Sequence, residues 1–256
     1  MSRKGPAGSL VFSPGNAYRP STMRTSTVLT IGAFLLLAGC EKASRKAAAS
    51  SPPPPPPPLP MVAVTDVPAP PSPEVELKPG SNLGIVAQEA YGHERFSGFL
   101  SVINGITDPT RMRDGTVLKT PAIPIAFQEA GADAIYQPAI NALAKASTDY
   151  AASRPAFHGA LSLSNESGKP ELPGGLKATF ISSADAVDAA VAVLAEAKEP
   201  HTVPKKSIEQ FRQASAHLRE LAKDNIGADD YNQDTVGLRF GLGFTNAILW
   251  TKDGHR

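Results

Sequence analysis

Val75-Glu76-Leu77-Lys78-Pro79-Gly80-Ser81-Asn82-Leu83-Gly84-Ile85-Val86-Ala87-Gln88-Glu89-Ala90-Tyr91-Gly92 is the stretch that decides the fold. Val75-Glu76-Leu77 reads as a short strand, and Lys78-Pro79-Gly80-Ser81 has the proline-glycine order of a tight turn. From Asn82 to Tyr91 the apolar residues Leu83, Val86, Ala87 and Ala90 fall at i, i+3, i+4 and i+7, one face of a helix. Ser81 or Asn82 can accept from the free amides of its first turn, and Gly92 stands where a left-handed stop belongs. A second short helix follows, with Phe96, Phe99, Leu100 and Ile103 at the same spacing. Asn104-Gly105 ends it, Asp108-Pro109 turns the chain, and Val117-Leu118-Lys119-Thr120-Pro121 closes as a strand. The predicted order is strand, helix, helix, strand. A unit this small buries little surface, so each apolar position in it must be well packed.

Gly80-Ser81-Asn82-Leu83, Val86-Ala87, Tyr91-Gly92, Asn104-Gly105-Ile106, Asp108-Pro109, Met112, Asp114-Gly115, Val117-Leu118 and Pro121 together resemble a LysM domain in residue type and spacing. The resemblance covers residues 75–122 and implies a βααβ fold that binds N-acetylglucosamine polymers, peptidoglycan or chitin, in a shallow groove. Carried over by position, the groove would be lined by Gly80, Ser81, Asn82, Leu83 and Gly84 after the first strand. Asn104, Gly105, Ile106 and Thr107 would line it after the second helix. Backbone amides and carbonyls at helix ends can bond an acetamido group while an apolar floor holds its methyl. Where the family commonly has Gly-Asp-Thr-Leu and then a bulky residue, this chain has Ser81, Asn82 and then Gly84.

Working outward toward the N-terminus, residues 41–73 contain seven consecutive prolines, Pro52 to Pro58, then Leu59-Pro60 and Pro68-Ala69-Pro70-Pro71-Ser72-Pro73. Such a composition buries no core and favours an extended polyproline rod, about 3.1 Å per residue, so the expectation is a disordered spacer reaching up to roughly 100 Å. A second reading of the same prolines is a ligand for a proline-recognition domain. Before it, an apolar run from Val28 ends in Leu37-Ala38-Gly39-Cys40. The run has the length of a signal-peptide core and falls short of the roughly 20 residues that span a bilayer. Ala38-Gly39 before Cys40 resembles the bacterial lipobox, which implies lipidation of the Cys40 thiol, cleavage before it and a firm acyl anchor. The alternative is an ordinary secretory signal with an incidental cysteine. Met23-Arg24-Thr25-Ser26 would make a compact alternative start.

Downstream of Ala122 no family is recognised. Gln137 to Tyr150 is a helix candidate, with Ala139, Leu143, Ala146 and Tyr150 on one face and Pro138 in its first turn. Residues 151–182 are rich in Ser, Gly and Pro and read as a long loop. Ser182, with Asp185 three residues on, reads as the cap of a second helix whose stripe is Val187, Ala190, Val191 and Leu194. Pro204 precedes a third, with Ile208, Phe211, Ser215, Leu218 and Ala222 inward and Lys205, Lys206, Glu209, Arg212, Arg219 and Glu220 as a solvated exterior. Val236 to Trp250 alternates like a strand at first but is favoured as a buried helix, its Gly237, Gly241 and Gly243 permitting close contact with a neighbour.

Composition limits the function classes. The chain carries 25 Lys and Arg against 24 Asp and Glu, which gives no strong pull toward nucleic acid. With Cys40 assigned to the leader, no cysteine-histidine pair can operate. His158, His201, His217 and His255 lack metal-ligand spacing, and no nucleophile-elbow or Walker motif occurs. Asp230, Asn232 and Asp234 have the spacing of the first EF-hand ligands, but Thr235 and Gly241 stand where glycine and glutamate should be, so an acidic helix-entry loop is favoured. Glu166, Glu171, Glu196, Glu209 and Glu220 read as surface carboxylates.

The expectation is an α+β LysM-like module followed by a mostly α-helical domain. Its organisation would be a leader at 1–39, a lipidated spacer at 40–73, the module at 74–122 and helices at 123–256. The expected function is non-enzymatic tethering of peptidoglycan to a membrane in the bacterial cell envelope, through Cys40 and one LysM domain. It calls for no cofactor, metal or nucleic acid, with a protein partner for the helices. An envelope protein scaffold that touches no glycan is the alternative, and an unrecognised cell-wall hydrolase the third.

Overall fold

A computed structural model describes residues 62–167, 172–197, 203–223 and 234–254; Cys40, the leader, the proline run Pro52 to Pro58, and Asp230, Asn232, His201, His255 and Glu171 lie outside them. The described chain is mostly helical with one two-stranded antiparallel sheet. Strand β1 (Glu74–Glu76) pairs with β2 (Val117–Lys119) in the register Glu74 to Lys119, Val75 to Leu118 and Glu76 to Val117. Helices α1 (Leu83–Tyr91) and α2 (Ser97–Ile103) lie between them in sequence, so the order strand, helix, helix, strand is present.

Local signals set these short elements. Gly80 at φ 77 follows Pro79, and Ser81 N–H closes the turn onto Lys78 O at 2.9 Å, the arrangement of a type II turn. Asn82 caps α1 by accepting from Ile85 N–H at 3.0 Å, and Gly92 ends it in the left-handed region with its N–H on Gln88 O. The end of α2 is a Schellman motif. Gly105 at φ 66 donates to Val102 O at 3.2 Å, and Ile106 N–H reaches back to Ser101 O at 2.9 Å. Leu83, Val86, Ala87, Tyr91, Phe96, Phe99, Leu100 and Leu118 are buried between sheet and helices.

The expected spacer ends earlier than residue 73. Val62 to Pro73 is a strap laid on the folded chain: Asn141 Nδ2 donates to Val62 O at 2.9 Å, Val67 is buried, and Thr120 donates from its N–H to Pro73 O at 2.7 Å and from its hydroxyl to Ser72 O at 2.5 Å. Prolines lack donors but keep their carbonyls, so this segment joins the fold as an acceptor. Two valines supply its apolar anchors, Val67 buried and Val62 partly buried against the core.

Beyond β2 come α3 (Ile123–Glu129), α4 (Gln137–Ser167), α5 (Gly174–Ala195), α6 (Lys205–Ala222) and α7 (Thr235–Lys252). The loop expected over 151–182 is corrected: α4 runs on to Ser167 with Pro155 inside it, and α5 is under way from Gly174. Ser182 therefore caps nothing, and its hydroxyl donates to Thr179 O at 3.0 Å within α5. Packing outweighs the poor propensity of Ser, Gly and Pro, because Phe157 and Phe180 are buried edge to face with centroids 5.8 Å apart and Tyr150 stands 6.1 Å from Phe180. Val187, Ala190, Val191 and Leu194 are buried as expected. By length and composition α5 could cross a bilayer, yet its Leu176, Phe180 and Val187 face protein.

The last segment is a helix, and its glycines mark three close approaches. A Cβ on Gly237 would stand 2.3 Å from the His93 ring, one on Gly241 2.8 Å from the Arg95 carbonyl, and one on Gly243 2.5 Å from the Phe211 ring. Helix α7 is thus wedged between the βααβ frame and α6. Phe244 lies within 6.4 Å, centroid to centroid, of Phe96, Phe99, Phe127, Phe211 and Phe240. The boundary expected at residues 122 and 123 does not divide the apolar core, which runs continuously through it.

Candidate glycan groove and a buried polar hub

The nine residues expected to line a groove sit in two loops, one between β1 and α1 and the other between α2 and β2. In the first loop Gly80 and Asn82 are exposed and Ser81 and Gly84 half-buried, whereas Leu83 faces the core at 6 % exposure. Gly84 serves the cap, since a Cβ there would meet Asn82 Oδ1 at 3.0 Å. Asn82 Nδ2 and the Ser81 hydroxyl have no hydrogen-bond partner among the described residues, which leaves a donor and a hydroxyl turned to solvent.

In the second loop Gly105 and Thr107 are exposed and Ile106 half-buried against the core. Asn104 is committed to structure. Its Nδ2 donates to Leu100 O at 3.0 Å and to Lys119 O at 2.9 Å, and its Oδ1 accepts from Lys119 N–H at 2.8 Å. The side chain braces the end of α2 to β2, and the exposed Thr107 is left with no side-chain hydrogen bond among the described residues. Lys252 Nζ at the end of α7 donates to Val102 O at 2.7 Å, the carbonyl that also takes the Gly105 N–H.

A second polar centre lies at the junction of frame and helices. Asp234, in the left-handed region at φ 42 just before α7, accepts from Tyr150 OH at 2.6 Å on Oδ1, and on Oδ2 meets Arg154 at 2.5 Å and His93 Nε2 at 3.2 Å. Arg154 also donates to Gly92 O at 2.5 Å. His93 Nδ1 accepts from Arg95 N–H at 3.0 Å, so the ring carries its proton on Nε2 and presents it to Asp234. Burial alone would raise the Asp234 carboxyl, but the hydrogen bonds from His93 and Tyr150 and the Arg154 charge outweigh it and hold it below the ordinary carboxylate range. Burial, and then the neighbouring Asp234 charge, push the Tyr150 phenol up, keeping it neutral as a donor. Asp234 is thus the carboxylate of an ion-pair network.

His93 and Arg154 stand in no recognisable motif in the sequence. The only signals at hand were a histidine following a helix-stop glycine and an aspartate preceding an apolar helix. Of the nominated carboxylates, Glu209 bonds Gln213 at 2.7 Å and Glu220 bonds Lys223 at 2.6 Å, both exposed. Glu196 is exposed at the end of α5. Among the described residues no group of three or more His, Cys, Asp or Glu could hold a metal ion. No protein-family model, curated protein or solved structure matches the chain.

Proposed function

We propose that this chain is a non-enzymatic lipoprotein of the bacterial cell envelope that binds peptidoglycan through its βααβ frame and tethers it to a membrane through lipidated Cys40. The observation that carries the reading is the pair of exposed loops at Gly80 to Asn82 and Gly105 to Thr107. Each carries a side-chain polar group without a hydrogen-bond partner among the described residues, beside a helix end, on a frame with the element order of the LysM domain the sequence resembles. A single module is expected to bind weakly, but anchoring it beside a continuous glycan mesh raises the effective concentration, so weak intrinsic affinity suffices. The proline-rich residues before Val62 would give the anchor its reach.

The test is co-sedimentation of the full chain with purified peptidoglycan, beside a Ser81→Trp/Thr107→Trp variant. Neither side chain makes a hydrogen bond among the described residues, so the variant should melt at the wild-type temperature. Wild type is expected in the pellet and the folded variant in the supernatant. A wild type that stays soluble overturns the tether in favour of a scaffold that binds only protein, and release of soluble muropeptides would instead favour a hydrolase.

A further inference from the structure

Helix α7 runs alongside α2 in the same direction. Gly241 abuts Arg95, Thr245 abuts Gly98, and Lys252 reaches Val102, so successive turns of the two helices advance together and α7 ends level with α2. That places an exposed ammonium at the root of the Gly105 loop, sharing the Val102 carbonyl with the Gly105 amide. The ammonium has three donors, and among the described residues Val102 O takes one, leaving two for solvent or a ligand. Lys119, whose backbone is clasped by Asn104, adds a second exposed cation beside the same loop. The carboxylates nearby are Asp253, exposed next to Lys252; Glu74, opposite Lys119 in the sheet; and Asp108, paired with Arg111 at 3.0 Å.

We propose that Lys252 makes the rim of the groove selective for a glycan that bears carboxylates on attached peptide stems, as peptidoglycan does, over a neutral N-acetylglucosamine polymer. This rests on the tether reading above. The residue that sets the selectivity thus belongs to the last helix rather than to the βααβ frame. An ion pair at such an exposed rim is worth a modest factor, about two- to fivefold in binding.

The experiment compares the full chain on two polymers: native peptidoglycan, and the same peptidoglycan with its carboxylates methylamidated. Wild type is expected to bind the native polymer about two- to fivefold more tightly. Lys252→Met should lose that ratio while still binding the methylamidated polymer like wild type, and Lys252→Arg should restore it. An unchanged ratio in Lys252→Met overturns the assignment and leaves the tether reading standing. Equal weakening on both polymers also overturns it, since Lys252 would then act by holding the loop. Failure of wild type to bind either polymer overturns the tether reading and this one together.

Discussion

The βααβ frame and the helices that follow bury apolar side chains by opposite means. In the frame, strands of three residues and helices of nine and seven are below the length that persists by itself; both ends of α1 and the C-terminal end of α2 are closed by a cap or a left-handed glycine, and a turn follows β1. In the later region, α4 to α7 have 18 to 31 residues and continue through a proline at 155 and glycines at 237, 241 and 243. Short elements depend on how they stop. Long ones depend on what they touch, and a few buried phenylalanines override many unfavourable local preferences.

The contrast can be broken most directly at the seam. Phe244→Ala removes a ring that touches frame and helices alike and should cost about 3–5 kcal/mol, lowering the melting temperature by roughly 10 °C in one cooperative transition. Two separate transitions by calorimetry would mean that the regions do not share a core.

Next is Asp234→Asn, which leaves Arg154 half-buried without its counter-charge. Here we expect about 2 kcal/mol at neutral pH, less than the roughly 3–5 typical of a fully buried pair because the carboxylate keeps some solvent contact. The pH dependence has a defined sign. The carboxyl is held below its unfolded value, so its contribution is complete above about pH 4 and fades as pH falls through the lowered folded value. Denaturant titrations should show wild type losing, below about pH 4, an increment that the Asn variant lacks at every pH.

Gly105→Ala isolates a stop signal. Nothing lies within 4 Å of the added methyl, so the cost is the backbone alone, about 1 kcal/mol, read as a melting shift of a few degrees. A loss as large as that of Phe244→Ala would erase the distinction between ends and contacts. Smallest of all should be Arg219→Met. Its bonds to Asp185 and Asp188 at 2.8 and 2.6 Å join α6 to α5 but are largely exposed, and at most about 0.5 kcal/mol is expected from chemical denaturation.

How legible each region is in the sequence follows from the same contrast. Asn82, Gly92 and Asn104-Gly105 could be read as helix boundaries because their effect is local, within four residues of the group they satisfy. The run of α4 past Tyr150 could not, because it depends on Phe157 meeting Phe180 in another helix. The strap was hidden by composition: prolines around Val67 look unfoldable until one sees that Asn141 and Thr120 supply the donors. At the two loops expected to form a groove, Thr107 is exposed and Ser81 half-buried, Leu83 follows the apolar face of its helix, and the bracing by Asn104 needs coordinates. The polar hub was least accessible, since Tyr150 and Asp234 lie 84 positions apart and nothing in the spacing around either points to the other.

That hub also orders events in time. His93 and Arg154 are made early, and the carboxylate that joins them belongs to a residue synthesised much later. Until Asp234 arrives, Arg154 has only the Gly92 carbonyl to bond, and the aromatic rings of the frame lack Phe244. Contacts so distant along the chain must await the slowest loop closure. The core of the frame is therefore complete only once the last helix has docked, and a chain ending before Thr235 would leave Phe96 and Phe99 without the Phe244 ring they pack against.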